Sequence, residues 1–237
     1  MKACIASYYM PNINGHTVQL QKKVVEKFNR AKFPHIVMMG QIPHGQFMDY
    51  IWALNGAPTK SLEGKVNKEL DFDIVLFLDI DCIPLSEHAI EYYVEKANQG
   101  KLIGNAQRTG HINNNNHVFA APSALCMTVE NFKKIGCPSA METPRGDVAE
   151  EYTYAAEANG VEVDLLLPTG YDREVYRYDW EQDRRPYWTL ENGLPNYALG
   201  TTYGSEEQGN LFWHNFQIRV SGQEQEFWKK CEELLNG

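Results

Sequence analysis

Apolar residues along the first eighty positions fall into short blocks with two alternating spacings. Ala3–Tyr8 is a brief apolar run closed by the turn-forming Met10-Pro11-Asn12, which predicts a first strand. From Thr17 to Lys32, Val18, Val24, Val25 and Phe28 recur among Gln and Lys, the pattern of an amphipathic helix. His35–Met39 predicts a second strand ended by Gly40, and Phe47, Ile51, Trp52 and Leu54 form a helical stripe that stops at Asn55-Gly56. Pro58–Leu70 is polar and predicts a surface loop. Phe72–Leu78 is a nearly unbroken apolar run, as expected of a parallel strand buried on both faces. Asp79-Ile80-Asp81 ends it, Pro84 prevents its continuation, and Ser86 is placed to cap a helix through Ala97.

Further along, Leu102–Ala106, Val118–Ala121 and Ala124–Thr128 predict strands, with the Asn-rich Asn113–Asn116 loop between the first two. Asn131–Ile135 predicts a short helix, Val148–Asn159 a longer one closed by Gly160, and Val161–Leu167 another strand. Beyond Pro168 the chain is aromatic and irregular until a last helix near Glu224–Leu235. There is no internal repeat. The early strand–helix alternation predicts a three-layer α/β domain with a largely parallel sheet.

At 237 residues a single domain is the expectation, and 43% hydrophobic content suffices for a full core. Acidic residues outnumber basic ones, 31 to 22, and the net charge of -9 works against a polyanionic partner unless cations gather locally. Cys4, Cys82, Cys126, Cys137 and Cys231 are an odd set without a C-x-x-C pair, which points to reduced, buried thiols and neither a disulfide framework nor a zinc site. The N-terminus offers no apolar run of signal length, and no segment approaches the roughly 20 residues that span a bilayer. A cytoplasmic protein is expected.

The chemistry concentrates at the end of the buried strand. In an open α/β sheet ligands bind outside the carboxyl ends of the strands, where Asp79 and Asp81 sit. Their spacing lets both carboxylates address one ligand, and two hard oxygen donors with open positions suit Mg²⁺ or Mn²⁺ holding a diphosphate. A bare D-x-D is common in surface turns; directly after a hydrophobic strand it is far more specific. Phe77-Leu78-Asp79-Ile80-Asp81-Cys82-Ile83-Pro84-Leu85 resembles the D-x-D signature of GT-A-fold glycosyltransferases. The resemblance implies a single three-layer GT-A-like domain over 1–237, with a mostly parallel mixed sheet flanked by helices. Residues 1–110 would form the donor half, and 111–237 the acceptor half with the C-terminal helix. It also implies a nucleotide-diphosphate sugar as donor, with Asp79 and Asp81 at the donor phosphates and the metal.

Two further stretches extend the likeness. Gly146-Asp147-Val148-Ala149-Glu150-Glu151-Tyr152 is similar to the acidic helix start that carries the acceptor-activating carboxylate, which makes Asp147, Glu150 and Glu151 candidates, Asp147 first. Asp147 and Glu150 also satisfy a capping box, and acids are favoured in a first helical turn regardless of function. His214, within Leu211-Phe212-Trp213-His214-Asn215-Phe216, resembles the third metal ligand of several such families, although a lone histidine among apolar residues is often simply hydrogen-bonded in a core. The same resemblance implies that Ser7 and Tyr8, at the end of the first strand, and Asp49, on the second helix, lie at the donor.

For the acceptor, Tyr171–Trp188 interleaves aromatics with arginines, which nominates Arg173, Arg177, Tyr178 and Trp180. The same arginines could instead pair with nearby acids on a solvated surface. A glycan or small-molecule hydroxyl is the expected acceptor. Hydroxymethylated DNA is the alternative, favoured by the arginine–aromatic stretch and opposed by the net charge. Other classes fit less well. A nucleotidyltransferase should carry a basic Gly-rich loop after the first strand, which Ser7–Gly15 lacks. A zinc hydrolase would need a paired-histidine motif such as H-x-H or H-E-x-x-H, and none of the seven histidines supplies one. A non-catalytic sugar-binding module would be expected to have lost one of the two acidic sets.

Overall fold

The computed structural model describes residues 1–62, 69–109, 112, 116–174, 189–194, 198–216, 218 and 223–237. Its main sheet has six strands: β1 (Ala3–Tyr9), β2 (His35–Met39), β3 (Ile74–Leu78), β5 (Leu102–Arg108), β6 (Val118–Thr128) and β7 (Val163–Leu166). Their order is β2-β1-β3-β6-β5-β7. β1 runs parallel to β2 and β3, β5 runs parallel to β7, and β6 is antiparallel to both of its neighbours. This is the mostly parallel mixed sheet expected from the sequence.

Helices cover both faces. On one, α2 (His44–Leu54), α4 (Val129–Lys134) and α5 (Glu150–Ala158) pack through Phe47, Ile51, Trp52, Phe132 and Tyr152 onto Cys4, Ala6, Val75 and Phe77. Trp52 stacks on Phe132 at 4.3 Å and donates to the Tyr152 hydroxyl at 3.1 Å, so one side chain ties three helices together. On the other face, α1 (Gly15–Phe28) and α3 (Ala89–Asn98) bring Val25, Ile90 and Tyr93 against Ile5, Ile74 and Leu76. β3 is buried along its whole length, which explains its unbroken apolar sequence.

A second, antiparallel sheet of four strands has the order β4-β12-β11-β8, with β4 at Cys82–Pro84, β8 at Pro168–Gly170, β11 at Thr201–Ser205 and β12 at Gly209–His214. A two-stranded pair, β9 (Arg173–Glu174) with β10 (Ala198–Leu199), lies beside it in sequence. The stretch expected to be irregular after Pro168 thus contributes strands. The last helix, α6 (Gln223–Asn236), packs through Phe227 and Cys231 on Leu20 and Val24 of α1 and on Trp213.

Two boundaries differ from expectation for visible reasons. β6 is one strand where two were predicted, because Pro122 and Ser123 sit in a bulge: Gly104 pairs with Leu125 while the next residue, Asn105, pairs with Ala121. α5 starts at Glu150 and not at Val148, because Ala149 takes a left-handed conformation with φ of 65°. Asp147 and Glu150 make half a capping box, in which the Glu150 carboxyl accepts from the Asp147 amide at 2.9 Å. Asp147 instead accepts from Val148 at 2.8 Å. All five cysteines are free, four of them buried. Among the described residues no helix is long and apolar enough to cross a membrane.

Candidate functional site

Three parallel strands end on the same side of the sheet, and the site lies there. β1 leads into Met10–Asn14, β2 into Gly40–Pro43, and β3 into Asp79. The turn after β3 is held from both sides. The Asp79 amide donates to the Ser123 carbonyl at 3.1 Å, and the Cys82 amide donates to the Asp79 carbonyl at 3.0 Å. The bulge in β6 brings Ser123 into that position. Behind it, buried Asn105 accepts from the Tyr93 hydroxyl at 2.6 Å and donates to the Ser123 hydroxyl at 3.1 Å. A fully bonded polar network of this kind fixes geometry that an apolar contact would leave loose.

The second sheet brings His214 to the two aspartates. β12 pairs antiparallel with β4 so that His214 lies opposite Cys82, one residue beyond Asp81. The Asn215 amide donates to the Asp81 carbonyl at 2.9 Å, which locks the register. Ligand atoms of Asp79, Asp81 and His214 then lie within 4.8 Å of one another. Two ligands on opposite sides of one ion at about 2.1 Å are separated by roughly 4 Å, so a spread of this size is compatible with a shared divalent cation. Two carboxylates and an imidazole match Mn²⁺ or Mg²⁺ chemistry, the imidazole favouring the former.

Burial disfavours a charged His214, but the Asp81 carboxylate, by its charge and hydrogen bond, and Asp79 beyond it outweigh that cost. The pKa of His214 is therefore raised above the ordinary 6.5. Its Nε2 stands 3.3 Å from Asp81 Oδ1.

Two cavities meet at this cluster. The first, about 390 Å³, is lined by Tyr8, Tyr9, Ile13, Ile42 and Ile218 and reaches Asp79 and Asp81. The second, about 630 Å³, shares Met10, Pro43, His44, Asp79 and Asp81 with the first and adds Gln107, Glu142, Asp147, His214 and Phe216. Asp147 therefore stands on the wall of the second cavity together with the ligand cluster. His44, which sequence reasoning did not select, begins α2 at the junction with its Nε2 3.3 Å from Asp79 Oδ1. The available signal was its place just beyond the carboxyl end of a strand.

No family model matches the chain, and no curated protein matches its sequence. Among solved structures it is similar to the catalytic domain of Drosophila β1,4-galactosyltransferase 7 in complex with xylobiose, at 13% identity and a TM-score of 0.46 over 69% of this chain. The chain spans 64% of the length of that domain. It is also similar to the galactosyltransferase LgtC in complex with donor and acceptor sugar analogs, at 11% identity and a TM-score of 0.42, over 98% of this chain and 95% of that one. Mouse xyloside xylosyltransferase 1 gives 11% identity and a TM-score of 0.42, over 81% of this chain and 95% of its own.

Several expected site residues are placed elsewhere. Ser7 shares its strand face with Ile5 and points beneath α1. It is fully buried, 2.9 Å from His35 Nε2, and accepts from Gln21 Nε2 at 3.3 Å, so Tyr8 alone of that pair lines the first cavity. Even the Tyr8 hydroxyl is used internally, donating to the Ile42 carbonyl at 2.6 Å. Asp49 is also fully buried and tethers the segment before Met141, accepting from Ser139 Oγ at 2.7 Å and the Ala140 amide at 2.9 Å. Desolvation raises its pKa in spite of these bonds.

Of the helix-start acids, Glu150 is fully buried and Glu151 is paired with Arg145 at 2.7 Å; neither lines the two cavities. Arg145 holds the Glu151 carboxyl below its usual range. Arg173 is exposed and pairs with Glu226 of α6 at 3.3 Å. Arg177, Tyr178 and Trp180 lie outside the described residues.

Proposed function

We propose that this protein is a metal-dependent glycosyltransferase that passes a sugar from a nucleotide-diphosphate donor to a hydroxyl of a glycan or small molecule. One observation carries the proposal: two cavities share the Asp79 and Asp81 carboxylates of the cluster, and only the second adds His214 and two further carboxylates, Glu142 and Asp147. Group transfer between two bound molecules calls for that division.

The first cavity, largely apolar and within the size range of small-ligand sites, would take the nucleoside against Tyr8, Tyr9 and Ile13. Its diphosphate would lie toward Asp79 and Asp81, which with His214 would hold the cation. A bound Mn²⁺ or Mg²⁺ supplies positive charge where the leaving diphosphate becomes negative. In the second cavity Asp147 would accept the acceptor's hydroxyl proton as that oxygen attacks the anomeric carbon. Gln107 offers an amide to neighbouring hydroxyls.

The lining of the second cavity favours a neutral acceptor. Among its described residues are four carboxylates, from Asp79, Asp81, Glu142 and Asp147, and no lysine or arginine. A phosphate-bearing polymer would meet like charge there, which costs affinity even after a cation offsets two of the four. That supports a glycan or small molecule over DNA.

Calorimetry of the protein against a panel of nucleoside diphosphates, with and without Mn²⁺, tests the proposal. The expected result is manganese-dependent binding of one diphosphate, lost in Asp81→Ala. If no nucleotide binds under either condition, the donor site does not exist and the proposal falls.

A further inference from the structure

The three acids at the start of α5 have different surroundings, and Glu150 is the one whose placement capping leaves unexplained. A reach-back glutamate caps a helix equally well from an exposed position. Glu150 is instead fully buried, where a carboxyl group is costly unless well bonded. Its Oε2 accepts from Thr109 Oγ1 at 2.6 Å and from the Asp147 amide at 2.9 Å. Its Oε1 lies 2.8 Å from His117 Nδ1. Thr109 directly follows β5 and His117 directly precedes β6. A single carboxyl group thus joins the ends of two sheet strands to the peptide that carries Asp147.

The backbone is shaped to allow this. Gly146 leaves the room, since a Cβ there would lie 2.9 Å from Glu150 Oε2 and 3.0 Å from its Cδ. Ala149, buried with φ of 65°, turns the chain between the two acids. Asp147 consequently stands on the second cavity while Glu150 faces inward. A non-glycine residue in this conformation costs on the order of 1–3 kcal/mol and persists where the surroundings over-determine it.

We propose that Glu150 is a positioning residue: it fixes the Asp147 peptide to the ends of β5 and β6 and so sets where the Asp147 carboxylate stands relative to the Asp79–Asp81–His214 cluster. The catalytic part of this proposal rests on the glycosyltransferase function proposed above; the structural tie does not.

Two measurements test it. In Glu150→Gln, amide hydrogen exchange at Asp147 should speed up while amides of β3 keep their protection. In steady-state transfer, Glu150→Gln should lower kcat by about tenfold or more with donor KM unchanged, since small misplacements of a reacting group are costly. The same substitution made on Asp147→Asn should change kcat less than about twofold, because there is no base left to misplace. Equal losses in both backgrounds, no loss in the wild-type background, or unchanged exchange at Asp147 would overturn the proposal. Gly146→Ala, which crowds the same carboxyl group without altering its charge, should reproduce the pattern and replaces Glu150→Gln if that variant does not fold. If the wild-type protein transfers no sugar, the glycosyltransferase assignment fails and the exchange result alone decides the tie.

Discussion

Asp81 and His214 face each other at 3.3 Å, so the Asp81 carboxylate favours the charged imidazole. Because the His214 pKa is raised in the folded protein, the metal-free pair contributes stability that is fully present below about pH 6.5 and is lost as pH rises through the raised value. In EDTA, the melting temperature of the wild type should fall relative to that of His214→Gln as the pH is raised above 6.5. A cation must displace the same proton, so Mn²⁺ affinity, followed by calorimetry, should rise over that range. Asp147→Asn makes a separate prediction. It should lower kcat by roughly 10²–10⁴-fold, the usual weight of a general base, with metal-dependent diphosphate binding intact. An equal loss of binding would assign Asp147 to the donor site and remove it as the base.

At the scale of elements, the tight approach of α2 to the segment before Met141 is testable without any activity. A Cβ at Gly45 would lie 2.5 Å from the Ala140 carbonyl oxygen, a backbone atom that cannot swing away. Gly45→Ala should cost about 1–3 kcal/mol in chemical denaturation. Elements of this kind were unequally legible in the sequence. β3 was plain because full burial leaves only apolar residues, and with it came Asp79 and Asp81. The second sheet was hidden. Thr201–Ser205 and Gly209–His214 are short, glycine-bearing strands without alternation, and the only apolar run in them is the three residues Leu211-Phe212-Trp213. His214 could be nominated by resemblance, yet the β4–β12 pairing that delivers it could not be read. Asp147, Glu150 and Glu151 were all candidates in sequence, Asp147 first, with no residue pattern to show which of them faces a cavity. What separates them is the left-handed turn at Ala149, and alanine is not a residue that signals one.

For the molecule as a whole, the cation should act as a stabilising ligand. Binding to the native state alone contributes roughly 2.7 kcal/mol at a hundredfold excess over Kd. Mn²⁺ should therefore raise the melting temperature of the wild type and leave that of Asp81→Ala unmoved. A shift in both proteins would place the ion elsewhere. The β4–β12 pairing also bears on synthesis, since it joins Cys82 to His214 across roughly half of the chain. A ribosome delivers both aspartates long before the imidazole that completes their cluster. Until its late strands fold back the nascent polypeptide would present an incomplete ligand set, so under the proposed function uptake of a cation would serve as a timestamp for that closing event.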